Sequence, residues 1–197
     1  RKEFALSKEV KRATVHIAGM GLYELFINGQ RIGDQVLAPA PTDYRKTILY
    51  NTYDVTPQLR KENAIGVTLG NGRFYTMRQN YKPYKIPTFG YPKLRLNLIV
   101  EYMDGSKETI ATNTSWKLTT EGAIRSNNEY DGEEYDARKE LGNWTQSGYD
   151  DKSWIAAQRV SIPSGTLRAQ IMPGMKVMDT LKPVAIQKLG DKYIVDF

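Results

Sequence analysis

Cysteine is absent from the 197 residues, which excludes a disulfide framework and any thiolate metal site. Histidine occurs once, as His16 between Val15 and Ile17. It projects from the opposite side of an extended chain from those neighbours, and a lone histidine cannot build a histidine-rich zinc site. No window approaches the run of about 18 apolar residues that a membrane-spanning helix needs. Arg1 to Phe4 lack the apolar core of a signal peptide, a feature that leaves export undecided. A sustained helical period is missing everywhere, so a helical barrel is excluded from this stretch. The formal charge of +6, from 28 basic and 22 acidic residues, is scattered. A nucleic-acid surface would gather its basic residues into one patch. Neither nucleic acid nor membrane is therefore expected as a partner.

What the chain does contain is short alternating segments. Hydrophobic residues make up 40%, ordinary for a globular domain. Val10 to Ile17 reads as a first strand. Tyr23, Leu25 and Ile27 share one side of the next, with Leu22, Glu24 and Phe26 on the other. Asn28-Gly29 suits a two-residue hairpin because both positions accept positive φ, and Gln30 to Ile32 is the return strand. Thr47 to Tyr53 is another strand, Thr56 and Pro57 read as the N-cap and first position of a short helix, and Asn63 to Leu69 is strand again. Lys93 to Tyr102 alternates most cleanly, with Leu94, Leu96, Leu98, Val100 and Tyr102 on one face. Asp104-Gly105 turns it into Ser106–Ala111. Short strands follow at Trp116–Thr119, Ala123–Ser126 and Ile155–Ala157. The pattern is that of a jelly-roll-like antiparallel β-sandwich, an all-β fold.

Two stretches carry chemistry. Arg73 to Pro92 has no period of two but is rich in aromatic residues, Tyr81 and Tyr84 among them, and long loops in compact domains are commonly functional. Two readings stay open: packing onto the sandwich or a neighbouring domain, and contact with the apolar face of a sugar ring beside amides that fix its hydroxyls. Trp116, Trp144 and Trp154 read as core or staple residues. The second stretch is acidic: Asp131, Glu133, Glu134 and Asp136. Adjacent same-face carboxylates could approach the roughly 5–5.5 Å spacing of a retaining glycosidase pair. The alternative is a turn at Asp131-Gly132 and a charged edge strand, with Arg138 pairing an acid. Calcium takes six to eight oxygen ligands without a rigid motif, and Asn71, Asn127, Asn128, Asp131 and Glu133 are the oxygen-rich loop candidates for it. None stands at EF-hand spacing.

GLYELFINGQRIGDQVLAPAPTDYRKTILYNTYDVT, NAIGVTLGNGRF, EYDGEEYDAR, GYDDKSW and LKPVAIQKLGDKYIVDF, in that order over nearly the whole chain, resemble the amino-terminal β-sandwich module of bacterial α-L-rhamnosidases. The resemblance implies a non-catalytic module, since the family's catalytic acids sit in a separate α/α-barrel. It implies a periplasmic or secreted parent enzyme, a rhamnose-containing glycan and the remaining domains of the same polypeptide as partners, and, in some such modules, rhamnose held through calcium. A purely structural role without sugar affinity is the alternative. The candidate carbohydrate site joins Asn71, Tyr81, Tyr84, Asn127, Asn128, Asp131 and Glu133. It requires two loops distant in sequence to emerge at the same end of the sandwich. The module is expected to span 1–165. The prolines and glycines after Ile162 read as linker, and 166–197 as linker and the truncated start of a following β-domain.

Overall fold

The computed structural model describes residues 1–75, 88–129 and 131–197. The chain opens with β1 (Lys2–Ala5), β2 (Val10–Met20), β3 (Leu22–Ile27) and β4 (Gln30–Arg31), then β5 (Thr47–Asp54) and β6 (Glu62–Gly70). β7 (Lys93–Tyr102) and β8 (Lys107–Ala111) follow, and then the short β9 (Lys117–Leu118), β10 (Ile124–Asn128), β11 (Gly132–Tyr135) and β12 (Ile155–Ala156). The carboxyl part holds β13 (Thr166–Ala169), β14 (Ala185–Leu189) and β15 (Lys192–Asp196). Among the described residues helix is confined to two single 3-10 turns, Thr56–Gln58 and Ala137–Lys139. Among the described residues no helix is long and apolar enough to cross a membrane.

Two sheets form the sandwich: a four-stranded one ordered β1-β6-β3-β4 and a five-stranded one ordered β13-β5-β2-β7-β8. Period-two burial joins them. Val15 pairs with Leu98 and Ile17 with Leu96 across β2 and β7, so these side chains point to one face. Leu25, Ile27 and Ile65 meet them from the other sheet, and Trp116 completes this main core. The indole N–H of Trp116 donates to the Ala111 carbonyl at 3.0 Å, so a large apolar residue is buried without an orphan donor. A second, smaller core lies on the outer face of the five-stranded sheet, where Ala18, Met20 and Ile48 are covered by Tyr44 and Phe74.

The hairpin expected at Asn28-Gly29 forms, with φ of 50° and 84° at the two residues, the positive values that a two-residue turn requires. The Asn28 side chain also reaches inward, donating to Asn63 Oδ1 at 2.9 Å and to the Gln58 carbonyl at 2.8 Å. The segment bearing Trp144 and Asp151 is strapped to the amino-terminal strand by Arg1, whose buried guanidinium donates to the Trp144 and Gln146 carbonyls, each at 2.9 Å, and pairs with Asp151. Trp144 packs on Phe26 and Trp154, in the staple role expected of it.

Three local expectations need correction. β1 precedes the first strand read from the sequence; with four residues on a sheet edge it offers too little alternation to be seen. Thr56 does not cap the turn it begins: its hydroxyl accepts from the Ala13 N–H at 2.8 Å, while Asp54 Oδ1 accepts from Thr56 N at 2.9 Å. Finally, Thr166–Ala169 is not linker but the parallel edge strand on β5. Leu167 supports the outer core there, and the Gly165 N–H donates to the Tyr44 carbonyl at 3.1 Å. Residues 170–184 follow without a named strand, and Val36 N donates to the Met175 carbonyl at 2.8 Å.

Candidate functional site

β6 ends at Gly70 and the chain turns tightly through Asn71 and Gly72. Gly72 has φ +46°, and a Cβ there would stand 2.9 Å from Leu22 Cγ, so this turn admits glycine alone without strain. The N–H groups of Phe74 and Tyr75 both donate to the Asn71 carbonyl, at 3.1 and 3.3 Å. Fifty-six residues later, β10 bends through an irregular register between Ile124 and Ser126 before pairing with β11. The tip of that hairpin is held by Asn128, whose Oδ1 accepts from Asp131 N at 2.7 Å and whose Nδ2 donates to Asp131 Oδ2 at 2.9 Å.

The two turns meet. Asn71 N donates to Asn127 Oδ1 at 2.8 Å, and Asn71 Nδ2 donates to the Asn127 carbonyl at 2.7 Å. Two residues beyond each asparagine, Arg73 and Glu129 close an exposed ion pair, with Nε to Oε1 at 3.0 Å. Asn71, Asn127, Asn128 and Asp131 thus gather on one ledge, with Glu133 on the adjoining strand opposite Asn127. Asp131 and Glu133 are exposed and the asparagines half-buried. Tyr81 and Tyr84 lie outside the described residues.

Sequence reading missed the Arg73–Glu129 pair, although opposite charges at the same offset from two asparagines were its only available signal. Spacing does not tell which aromatic residues of the loop stand open. Tyr75, in the Asn71 turn itself, stacks on Tyr91 with ring centroids 5.1 Å apart, and Tyr91 is 76% exposed. The neighbouring Phe74 and Phe89 do the opposite. They bury against Tyr44 with centroids 5.0 and 5.5 Å from it, fastening both ends of the aromatic loop to the outer sheet face. Packing and an open aromatic surface are both present, on different residues.

The acidic cluster is dispersed by its own hairpin. Ser126 Oγ donates to Glu134 at 3.0 Å. Asp136 takes the Arg138 guanidinium at 2.8 and 2.9 Å, and that pairing holds its carboxyl below the usual carboxylate range. The oxygen-rich residues of the ledge are engaged with one another. The Asn127 and Asn128 amide oxygens already accept N–H groups, and among the described residues no three acidic or histidine side chains converge.

A family profile described as the α-L-rhamnosidase N-terminal domain matches residues 8–179. An α-L-rhamnosidase of Formosa agariphila is 41% identical over 203 residues, covering 100% of this chain and 21% of the relative. The solved α-L-rhamnosidase of Dictyoglumus thermophilum superposes with a TM-score of 0.88 at 45% identity, over 100% of this chain and 21% of its own. That of Streptomyces avermitilis, solved in complex with L-rhamnose, gives 0.87 at 34% identity, over 99% and 19%. The chain spans about a fifth of the length of these relatives. The profile covers well over half of the chain, and on that ground the chain belongs to the α-L-rhamnosidase N-terminal domain family.

Proposed function

We propose that the chain is the non-catalytic amino-terminal module of an α-L-rhamnosidase, that it recognises rhamnose-containing glycan at the Asn71–Asn127 ledge, and that it braces the catalytic barrel of the same polypeptide. One observation supports the recognition reading: the double hydrogen bond between Asn71 and Asn127 gathers amide and carboxylate groups at one junction of turns, and Tyr75, from the Asn71 turn, stacks on the exposed Tyr91. A deoxyhexose offers a C–H face for Tyr91 and hydroxyls for Asp131 and Glu133, the division of labour common to small-ligand sites. The absent catalytic machinery is expected in the remainder of the parent, where the relatives' activity would reside.

Calorimetric titration with L-rhamnose, first plain, then with calcium, then with chelator, tests this. Binding should appear and weaken by about tenfold or more in Tyr91→Ala. Absence of heat under every condition would leave the structural reading, a sandwich that only braces its neighbours. The burial of Phe74 and Phe89 against Tyr44 favours that second reading.

A further inference from the structure

The turn joining β1 to β2 and the segment between the first 3-10 turn and β6 enclose a cleft of about 430 Å³, inside the roughly 300–1,000 Å³ range of small-ligand sites. Leu6, Val10 and Leu59 give it an apolar lining, and Lys8, Arg60 and Lys61 bring positive charge to it. Among the described residues no acidic one lines it. The walls are tied to the fold. Leu6 is buried, and its N–H donates to the Lys61 carbonyl at 2.8 Å. Asn63 holds both backbone polar groups of Arg60, accepting from its N–H at 2.8 Å and donating to its carbonyl at 2.7 Å.

The three cations differ in commitment. Lys8 is occupied, since its Nζ donates to Asp104 Oδ2 and to Ser106 Oγ, each at 2.8 Å. The Arg60 guanidinium and the Lys61 ammonium have no hydrogen-bond or ion-pair partner among the described residues. A cleft lined by charge of one sign concentrates the opposite sign. A guanidinium grips a carboxylate through two parallel N–H bonds, and an ammonium adds a point charge beside it. The apolar wall suits the C–H face of a ring that carries the anion. We propose that this cleft binds an anionic sugar, a hexuronate whose carboxylate sits on Arg60 and Lys61 and whose ring lies against Val10 and Leu59. The choice of an anion rests on the cleft alone; the choice of a sugar rests on the glycan reading proposed above. The cleft and the Asn71–Asn127 ledge are built from different turns, so the two would take different residues of one glycan.

Titration of chain 1–197 with methyl glucuronide, followed by the backbone amide resonances, tests this. Saturable shifts should appear at Leu6 to Lys8 and at Leu59 to Lys61, and neutral methyl glucoside should produce none. Arg60→Ala with Lys61→Ala keeps the backbone bonds that hold the walls and should weaken glucuronide binding about tenfold or more. Lys188→Ala with Lys192→Ala, which removes the same charge from the β14–β15 hairpin, should leave it unchanged. The proposal is overturned if the cleft amides do not respond, if the glucoside shifts them equally, or if both double variants weaken binding alike. It is also overturned if inorganic sulfate binds there as tightly as the glucuronide, because the cleft then takes any anion and no sugar is read. Rhamnose contact at the ledge would report at Asn71 and Asn127 instead, so failure of one site is told apart from failure of the other.

Discussion

Two pairs of asparagines tie distant turns together in this molecule, and they use the same amide chemistry for opposite ends. Asn28 and Asn63 lock the first hairpin to the loop before β6. Asn63 is fully buried; its Oδ1 accepts from Asn28 Nδ2 at 2.9 Å and from Arg60 N at 2.8 Å, and its Nδ2 donates to the Arg60 carbonyl at 2.7 Å. Asn28 Oδ1 in turn accepts from Ala64 N at 2.9 Å. The amide groups are spent on protein, so the junction has little to offer a ligand. Asn71 and Asn127 join their turns as firmly in geometry, yet at half-exposure and beside exposed carboxylates. Closure makes the first a structural lock; openness leaves the second polar groups to share.

Breaking the interior lock should have the largest effect. Asn63→Ala leaves the Arg60 N–H and C=O and one Asn28 donor without the partner that the fully buried Asn63 supplies. Each buried orphan costs on the order of 1–3 kcal/mol, so a loss of about 3 kcal/mol is expected in urea unfolding. A loss below about 1 kcal/mol would show that the junction admits water and that the contrast with Asn71–Asn127 is false.

Gly29→Val acts on the same hairpin through the backbone. Gly29 sits at φ +84°, and an added Cβ would stand 3.1 Å from Gln146 Nε2. Destabilisation of roughly 1–3 kcal/mol follows from holding a β-branched residue there. An unchanged melting midpoint would mean that the turn relaxes at no cost and that Asn63 alone fixes it.

How legible all this was in sequence follows from the range of the interaction. β7 was readable because Leu94 to Tyr102 alternates over its full length, and the Asn28-Gly29 turn because its demand for positive φ is local. β13 was not: it carries one supporting apolar residue, Leu167, and its partner β5 lies over 100 residues earlier. β14 escaped for a similar reason, since Ala-Ile-Gln-Lys-Leu is a weak alternation until Tyr193 and Val195 are laid opposite it. For the ledge, residue types were readable and the meeting of Asn71 with Asn127 could be stated only as a requirement. Nothing in spacing reports which strand ends share an end of a sandwich. Tyr91 was visible as one aromatic residue among several; that it is exposed while Phe74 is buried is a matter of tertiary packing.

The open junction should give the smallest change, and that smallness is what distinguishes it. Asn127→Ala removes the acceptor of the Asn71 N–H but keeps the Asn127 carbonyl for Asn71 Nδ2. Half-exposed groups recover most of a lost bond from water, so about 1 kcal/mol or less is expected. Arg73→Ala should cost still less, about 0.5 kcal/mol or below, because its pair with Glu129 is exposed and screened by salt. The informative readout is local: amide exchange at Asn71 should quicken in Asn127→Ala while the β2 and β7 amides keep their protection. If Asn127→Ala instead costs as much as Asn63→Ala, the ledge is a second structural lock. A rhamnose site there would then have to form from groups already committed to holding the fold.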